Sequence, residues 1–283
     1  MKLTYSTWGM PMLSIDDALA HIHRLGYDGV EITVTDARPF STELNRLNAA
    51  ERKRIRQLLD QYGLDLPAIA GHTDLMAPDP DVYARNLGRL RATIDLALEW
   101  AGPDGVPAVN TTSGGSKDEW ETGKSLFVNR LGELVAYGQQ RGVTIAVEPH
   151  VSSMLDRPDR ALWLLQQIRS DYLKLCFDIS HFEVVEGIPM AESVRLMAPH
   201  SVFTHVKDQR GIYPNHEFLV PGEGPFDYVA YLKEMDKVGY QGHIGVEVSF
   251  MVQDRPSYDP YWAAELAYRT LSNAFLEAGL RRG

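Results

Sequence analysis

The sequence predicts a single (β/α)8 barrel spanning residues 1–283, and three observations carry that expectation. Apolar, β-branched runs alternate with amphipathic stretches along the whole chain. A glycine stands at the end of one helical stretch after another, at Gly26, Gly63, Gly142 and Gly239, just before the next apolar run. The alternation repeats at the roughly 30-residue spacing of a βαβ unit and gives about eight elements of each kind. Eight units fit a barrel of about 250 residues with modest loops. A doubly wound open sheet competes, but no glycine-rich dinucleotide fingerprint follows the first strand.

Taken in order, Leu3–Thr7 reads as the first strand, followed by a loop with Trp8, Gly9 and Pro11. Ser14 caps a helix to Leu25, with Asp16 and Asp17 favourably placed in its first turn. Val30–Val34 is the next strand, helix Ala49–Tyr62 follows, and Leu66–Ala70 is the third strand. A long helix Asp81–Trp100 leads to strand Val106–Asn110, weakened by Pro107, and helix Leu126–Arg141 leads to strand Val143–Glu148. Pro158 opens a helix through Ile168 and Ala191–Met197 forms a short one. Tyr228–Val238 is another helix, and Asp259-Pro260 caps the last one, which reaches Ala278. No linker or low-complexity tract interrupts this order, so one domain is expected.

Composition narrows the function. The chain is 44% hydrophobic, as a soluble protein with an ample core requires. Met1–Tyr5 lacks the apolar stretch of a signal peptide, and no run reaches a transmembrane length, so a cytoplasmic protein is expected. The single cysteine, Cys176, excludes an internal disulfide and falls in an apolar run as inert core. A formal net charge of −10 disfavours binding to nucleic acid or anionic membranes. It leaves a small carbohydrate open as substrate.

The chemistry concentrates at four strand tips. The run Val143–Val147 ends in Glu148 and is stopped by Pro149. Likewise Lys174–Phe177 leads to Asp178, Ser201–Thr204 to His205, and His243–Val246 to Glu247. Strand C-termini of such a barrel share one face, and adjacent strands lie about 4.8 Å apart, so four neighbouring tips converge. Three carboxylates so placed repel one another and drift toward protonation unless a cation joins them. One imidazole in an oxygen-rich set suits Mn²⁺ first, with Mg²⁺, Co²⁺ or Zn²⁺ also acceptable. The alternative for the same residues is a plain ion-pair network of caps and salt bridges.

These residues, together with Asp178-Ile179-Ser180-His181, His205-Val206-Lys207-Asp208 and the turn Val220–Gly224, resemble the xylose-isomerase-like TIM-barrel superfamily of sugar isomerases and epimerases. The ketose 3-epimerases and hydroxypyruvate isomerases are the nearest functional comparison. The resemblance implies that Glu148 and Glu247 bind the metal and act as an acid/base pair on opposite substrate faces. It also implies that His181 contacts substrate oxygens, and that Arg210, one residue short in spacing, is the counterpart of an arginine beyond the metal histidine. Proton abstraction next to a polarised carbonyl gives an enediolate. Return of the proton from the other face epimerises the carbon, and return to the neighbouring carbon isomerises the sugar.

Secondary candidates carry bland alternatives. His72 and His150 are substrate contacts or structural histidines, and Lys207 holds a substrate oxyanion or pairs with Asp178. Trp8 and Phe250 wall a sugar or pack in loops. Asn110, Thr111 and Ser113 offer neutral hydrogen bonds above the fourth strand, and Ser113–Lys117 reads as a flexible loop. His21, His23, His200, His216 and His243 have no assigned partner. A lyase on the same site is the second function, either a keto-inositol dehydratase or a 3-keto C-glycoside deglycosidase. An endonuclease IV-type repair enzyme ranks lower, for want of a basic face and further metal ligands, and a non-catalytic sugar-binding barrel lower still. Homo-oligomerisation is common in such barrels, and Tyr261, Trp262 and Tyr268 on the last helix are available for it.

Overall fold

The computed structural model describes all residues, 1–283, as one closed barrel. Its eight parallel strands are β1 (Lys2–Ser6), β2 (Gly29–Thr33), β3 (Ala68–Ala70), β4 (Ala108–Thr112), β5 (Ile145–Glu148), β6 (Leu173–Asp178), β7 (Ser201–Val206) and β10 (His243–Val246). The remaining two, β8 (Asp208–Arg210) and β9 (Glu217–Leu219), form an antiparallel hairpin. The helices are α1 (Ile15–Leu25), α2 (Ala49–Tyr62), α3 (Pro80–Glu99), α4 (Trp120–Arg141), α5 (Pro158–Gln167), α6 (Ile179–Glu183), α7 (Met190–Met197), α8 (Tyr228–Lys237), α9 (Phe250–Gln253) and α10 (Pro260–Ala278). Pairing runs in chain order around the barrel, and β1 closes it against β10 with Lys2 opposite His243 and Tyr5 opposite Val246. No helix is long and apolar enough to cross a membrane.

Local chemistry explains these boundaries. Ser14, Asn48, Asp79 and Asp259 each accept a backbone N–H at a helix start, and Gly26, Gly63, Gly142 and Gly279 end helices in the left-handed region. The fourth strand begins at Ala108 rather than Val106, because Pro107 offers no N–H to the ladder. Thr111 therefore lies inside that strand instead of above it. Helix α4 starts six residues before the expected Leu126, after a 3₁₀ turn whose capping box joins Ser116 and Glu119. In the loop Ser113–Lys117, expected to be flexible, Ser113 is buried and its hydroxyl hydrogen-bonds Ser153, while Gly115 is exposed. A side-chain carbon on Gly114 would lie 1.8 Å from Asp74 Oδ1, so this position admits only glycine.

Period-two alternation sorts each strand between two environments. Outward residues such as Val30, Ile32, Val109, Val147 and Val246 join an apolar annulus of 63 buried residues between strands and helices, and this annulus is the main core. Inside the barrel a layer of only five apolar residues, Ala68, Ala108, Ala146, Cys176 and Phe203, forms the floor. Phe203 fills the centre, and Gly245 makes room for it, since an added side-chain carbon would stand 2.6 Å from the Phe203 ring. Above that floor the interior turns polar and charged. Tyr261 and Trp262 remain 39% and 45% exposed on α10, with no partner surface defined for them.

Candidate active site

The four predicted tip residues meet. Ligand atoms of Glu148, Asp178, His205 and Glu247 all lie within 4.8 Å of one another, and all four side chains are buried. Glu148 ends β5, Asp178 ends β6, His205 is the penultimate residue of β7, and Glu247 follows β10 directly. Each points inward because its neighbours in sequence, such as Val147 and Val246, occupy the annulus. Asp178 is further fixed by capping α6: its Oδ1 accepts from the Ser180 amide at 2.9 Å and hydroxyl at 2.6 Å. That leaves Oδ2 for the site.

Lys207, two residues beyond His205, is turned to the same side and hydrogen-bonds Asp178 Oδ2. Its Nζ also lies 2.5 Å from Glu247 Oε2. Burial works against its charge, but Asp178, Glu247 and Glu148 outweigh it and hold the ammonium well above the usual lysine range. Burial likewise pushes the carboxyl groups of Glu148 and Asp178 up. For Glu148 the opposing effect of His205, His72 and Lys207 wins, and for Asp178 that of Lys207, His181 and His205 wins, so both stay ionised. His205 is held well above the usual imidazole range: burial opposes its charge, and the carboxylates Glu31, Glu247 and Glu148 override it.

Glu31, absent from the sequence-derived set, is the residue the reading missed. It lies in the middle of β2, fully buried, with Oε2 3.0 Å from His205 Nε2 and accepting from Ser6 Oγ at 2.6 Å. Burial raises its pKa, while His205 and Ser6 lower it further, to about 2. The signal was present: a carboxylate inside Val30-Glu31-Ile32-Thr33, alternating inward while Val30 and Ile32 face out. Asn110, expected above the fourth strand, instead points into the barrel and donates to Glu31 Oε1 at 3.2 Å. Cys176 is buried as expected, but on the interior side, with Sγ 3.6 Å from His205 Nδ1. Burial pushes its thiol far up, so it stays protonated.

The donor set fits a divalent cation. Four buried carboxylates, counting Glu31, face one ammonium and one imidazole, an arrangement short of positive charge in a place where water does not compensate. Three hard oxygen ligands and one nitrogen match the preferences of Mn²⁺, Mg²⁺ or Zn²⁺.

Above the cluster opens a cavity of about 570 Å³ lined by Trp8, His72, Glu148, His150, His181, Lys207, Phe218, Glu247 and Phe250, among others. Trp8 stacks on Phe250 with ring centres 4.7 Å apart and meets His72 edge-on at 5.2 Å. His150 and His181 lie 3.8 Å apart, and burial lowers the pKa of both, so both are neutral at pH 7. Both nitrogens of His181 and Nδ1 of His72 are buried without a hydrogen-bond partner. His216, unassigned from sequence, joins this wall from the hairpin. A somewhat larger opening of about 650 Å³ lies at the other end of the barrel, between Arg56 of α2 and loop residues such as Asp65 and Asp104, away from the carboxylate cluster.

Of the predicted contacts, the structure leaves Arg210 outside. It stands on the exposed edge of β8, where Nη2 lies 2.6 Å from Glu217 Oε2 across the hairpin. The hairpin itself was not foreseen, and its two three-residue strands offer too little periodicity to read. Asp208 clamps its base, accepting from the amides of Gln209, Gly222, Gly224 and Phe226. The Gly-Glu-Gly turn therefore supplies backbone donors folded around one carboxylate.

Comparison with known proteins agrees with the barrel fold. Residues 19–268 match the family described as xylose isomerase-like TIM barrel. The rhizopine catabolism protein MocC of Rhizobium meliloti is 25% identical, over 94% of this chain and 83% of its own. Fructoselysine 3-epimerase of Shigella flexneri is 24% identical over 90% of this chain and 93% of its own. Inosose dehydratase of Geobacillus kaustophilus is 22% identical over 89% and 84%. Among solved structures, the IolI protein with a bound zinc atom superposes with a TM-score of 0.75 at 19% identity, covering 98% of both chains. A xylose isomerase-like protein from Mycobacterium smegmatis in complex with magnesium gives 0.71 at 20% identity, covering 98% of this chain and 97% of its own. With a family match over most of its length, this chain belongs to the xylose isomerase-like TIM-barrel family.

Proposed function

We propose that the protein is a divalent-metal-dependent isomerase or epimerase of a keto-sugar or related polyol, with Glu148 and Glu247 as its acid/base pair. The observation that carries this reading is the convergence of these two carboxylates with Asp178 and His205 at the floor of a cavity walled by rings and imidazoles. Glu148, Asp178, Glu247 and His205 would hold the ion, with Mn²⁺ the first choice, and Mg²⁺, Co²⁺ and Zn²⁺ also suited to the donor set. Bound there, it would polarise a substrate carbonyl and a neighbouring hydroxyl.

The chain's own residues supply the rest. One glutamate removes the proton from the carbon between those two groups, and the other delivers a proton to the opposite face or to the adjacent carbon. The unpaired nitrogens of His181 and His72 are placed to bind sugar hydroxyls, and Trp8 with Phe250 supplies an apolar face for the ring. Lys207 is the one cation among the lining residues, and Asp178 and Glu247 already engage it. That balance favours an uncharged sugar over a phosphorylated one. Fructoselysine 3-epimerase among the relatives supports the same chemistry.

Elimination is the second reading, and a specific observation favours keeping it. His150 and His72 border the cavity close to Glu148, where either can serve a leaving group, and an inosose dehydratase is among the relatives. A repair nuclease is not favoured: apart from the overlapping set with Cys176, no second group of metal-ligating side chains adjoins the site.

Metal-loaded protein incubated in D₂O with ketoses, keto-inositols and 3-keto glycosides, followed by mass spectrometry, separates these readings. A one-dalton gain on an intact skeleton is expected. Loss of water or of an aglycone would transfer the site to the lyase reading. Absence of both exchange and turnover across the panel would contradict proton abstraction by this pair.

A further inference from the structure

Glu31 is a buried carboxylate that does not line the cavity, and its partners come from three separate strands. Ser6 of β1 donates to Oε2 at 2.6 Å, Asn110 of β4 donates to Oε1 at 3.2 Å, and His205 Nε2 of β7 lies 3.0 Å from Oε2. An ionised carboxylate buried this deeply is strongly destabilising unless donors satisfy it, and here each donor is itself anchored on a barrel strand. The position of the carboxylate is therefore fixed by the barrel and not by any loop.

His205 places its two nitrogens on opposite duties. Nε2 faces Glu31, while Nδ1 faces Glu148 Oε1 at 3.2 Å and Glu247 Oε1 at 3.9 Å. An ionised carboxylate only accepts hydrogen bonds, so a lone pair on Nε2 directed at Glu31 would be repelled, and a proton there is held; Glu148 repels a lone pair on Nδ1 in the same way, but there a cation held by Glu148, Asp178 and Glu247 would take the place of the proton. We infer that Glu31 is the positioning residue for the metal ligand His205: it keeps the ring proton on Nε2 and turns the Nδ1 lone pair toward Glu148, Asp178 and Glu247. This rests on the metal-site reading above. It adds that the ligand atom is Nδ1 and that β1, β2 and β4, which give no first ligand, set its orientation through Ser6, Glu31 and Asn110. A carboxylate behind a ligating imidazole also makes it a stronger donor.

The test joins metal affinity to a signature of the ring itself. Zn²⁺ and Mn²⁺ affinities are measured by calorimetry for wild type, Glu31→Gln, Glu31→Leu and Ser6→Ala. Histidine ring ¹⁵N shifts are recorded for the Zn²⁺-loaded and metal-free proteins. The expected wild-type spectrum has His205 protonated at Nε2 and ligating through Nδ1. Glu31→Leu is expected to lose about 10–100-fold in affinity, the usual effect of removing such a partner. Glu31→Gln, whose amide oxygen still accepts the Nε2 proton, is expected to keep the tautomer, lose less affinity, and carry the test should the leucine variant fail to fold. Ligation through Nε2, or affinity unchanged within twofold in a folded Glu31→Leu protein, would overturn the inference. Absence of any metal uptake by wild type would sink the metal-site reading instead. A metal-free spectrum recorded at a pH high enough to neutralise the His205 ring would then still decide the role of Glu31, because a neutral ring protonated at Nδ1 in wild type contradicts it.

Discussion

The two ends of the barrel carry the same residue types in opposite circumstances. At the end where the strands begin, Lys2 Nζ lies 2.6 Å from Asp65, His243 Nε2 lies 3.5 Å from the same carboxylate, and Asp104 interacts with Asp65. At the end where they finish, Lys207 meets Asp178 and Glu247 around His205. The lysine at the first end is 35% exposed and its aspartate 13%, whereas Lys207 and Asp178 are 3% and 0% exposed. Exposed pairs exchange water for each other at little net gain, but buried ones keep their full electrostatic tension. At the second end the excess of carboxylates is fully buried, and a divalent ion would relieve it. Burial, more than residue type, separates a surface network from a site.

The largest expected effect follows from the acid/base assignment. Glu148→Gln and Glu247→Gln should each lower turnover by about 10²–10⁴-fold, the typical contribution of a positioned proton-transfer group. Steady-state rates on whichever substrate the deuterium experiment identifies give the check, and variants retaining full rates would break the contrast between the two ends.

Next come the lysines. Lys207→Met leaves Asp178 and Glu247 buried without their cation, and the metal-free protein should lose about 3–5 kcal/mol, as breaking a buried pair does. Lys2→Met at the exposed end should cost at most about 1 kcal/mol. Denaturant unfolding of both variants measures the two values, and equal losses would remove the distinction between the two ends. Metal should act in the same direction at one end only. Saturation of the wild type at about 100 times the dissociation constant should add about 2.7 kcal/mol, seen as a higher melting temperature that a chelator reverses.

A smaller effect concerns pH at the first end. Burial, followed by the charge of Lys2, lowers the pKa of His243 to about 4. The unfolded chain takes up a proton near the ordinary value of 6.5 while the folded one resists until about 4. Between those values the unfolded state binds more protons, so this group makes stability fall as pH falls from 6.5 toward 4, with no further loss below. Unfolding curves of His243→Gln across that window should be flatter than wild type, and an unchanged slope would refute the assignment. The smallest effect is expected at Arg210, whose exposed pairing with Glu217 keeps it out of the cavity. Arg210→Ala should leave stability within about 0.5 kcal/mol and turnover nearly unchanged, and a large loss of rate would return it to the site.

Much of this architecture is legible because the barrel repeats a physical pattern. Glu148, Asp178, His205 and Glu247 stand out since each interrupts an apolar run at its end, where all strands of a parallel barrel share a face. Gly26, Gly63 and Gly142 mark helix ends because the left-handed region excludes most side chains. Glu31 was passed over for the opposite reason: it sits mid-strand, where a period-two pattern hides one charged residue among Val30 and Ile32. The hairpin of residues 208–219 escaped because its strands are three residues long, and with it the true place of Arg210 and His216. The fourth strand slid by two residues on the missing N–H of Pro107, which carried Asn110 from the rim into the barrel.

The buried end of the barrel is proposed as a metal centre. A crystal of the Mn²⁺-loaded protein, measured at the manganese absorption edge, tests it most directly. One anomalous peak is expected, bonded to the carboxylates of Glu148, Asp178 and Glu247 and to Nδ1 of His205. A crystal grown with Mn²⁺ that shows no peak there, with Lys207 still bridging Asp178 and Glu247, would contradict it.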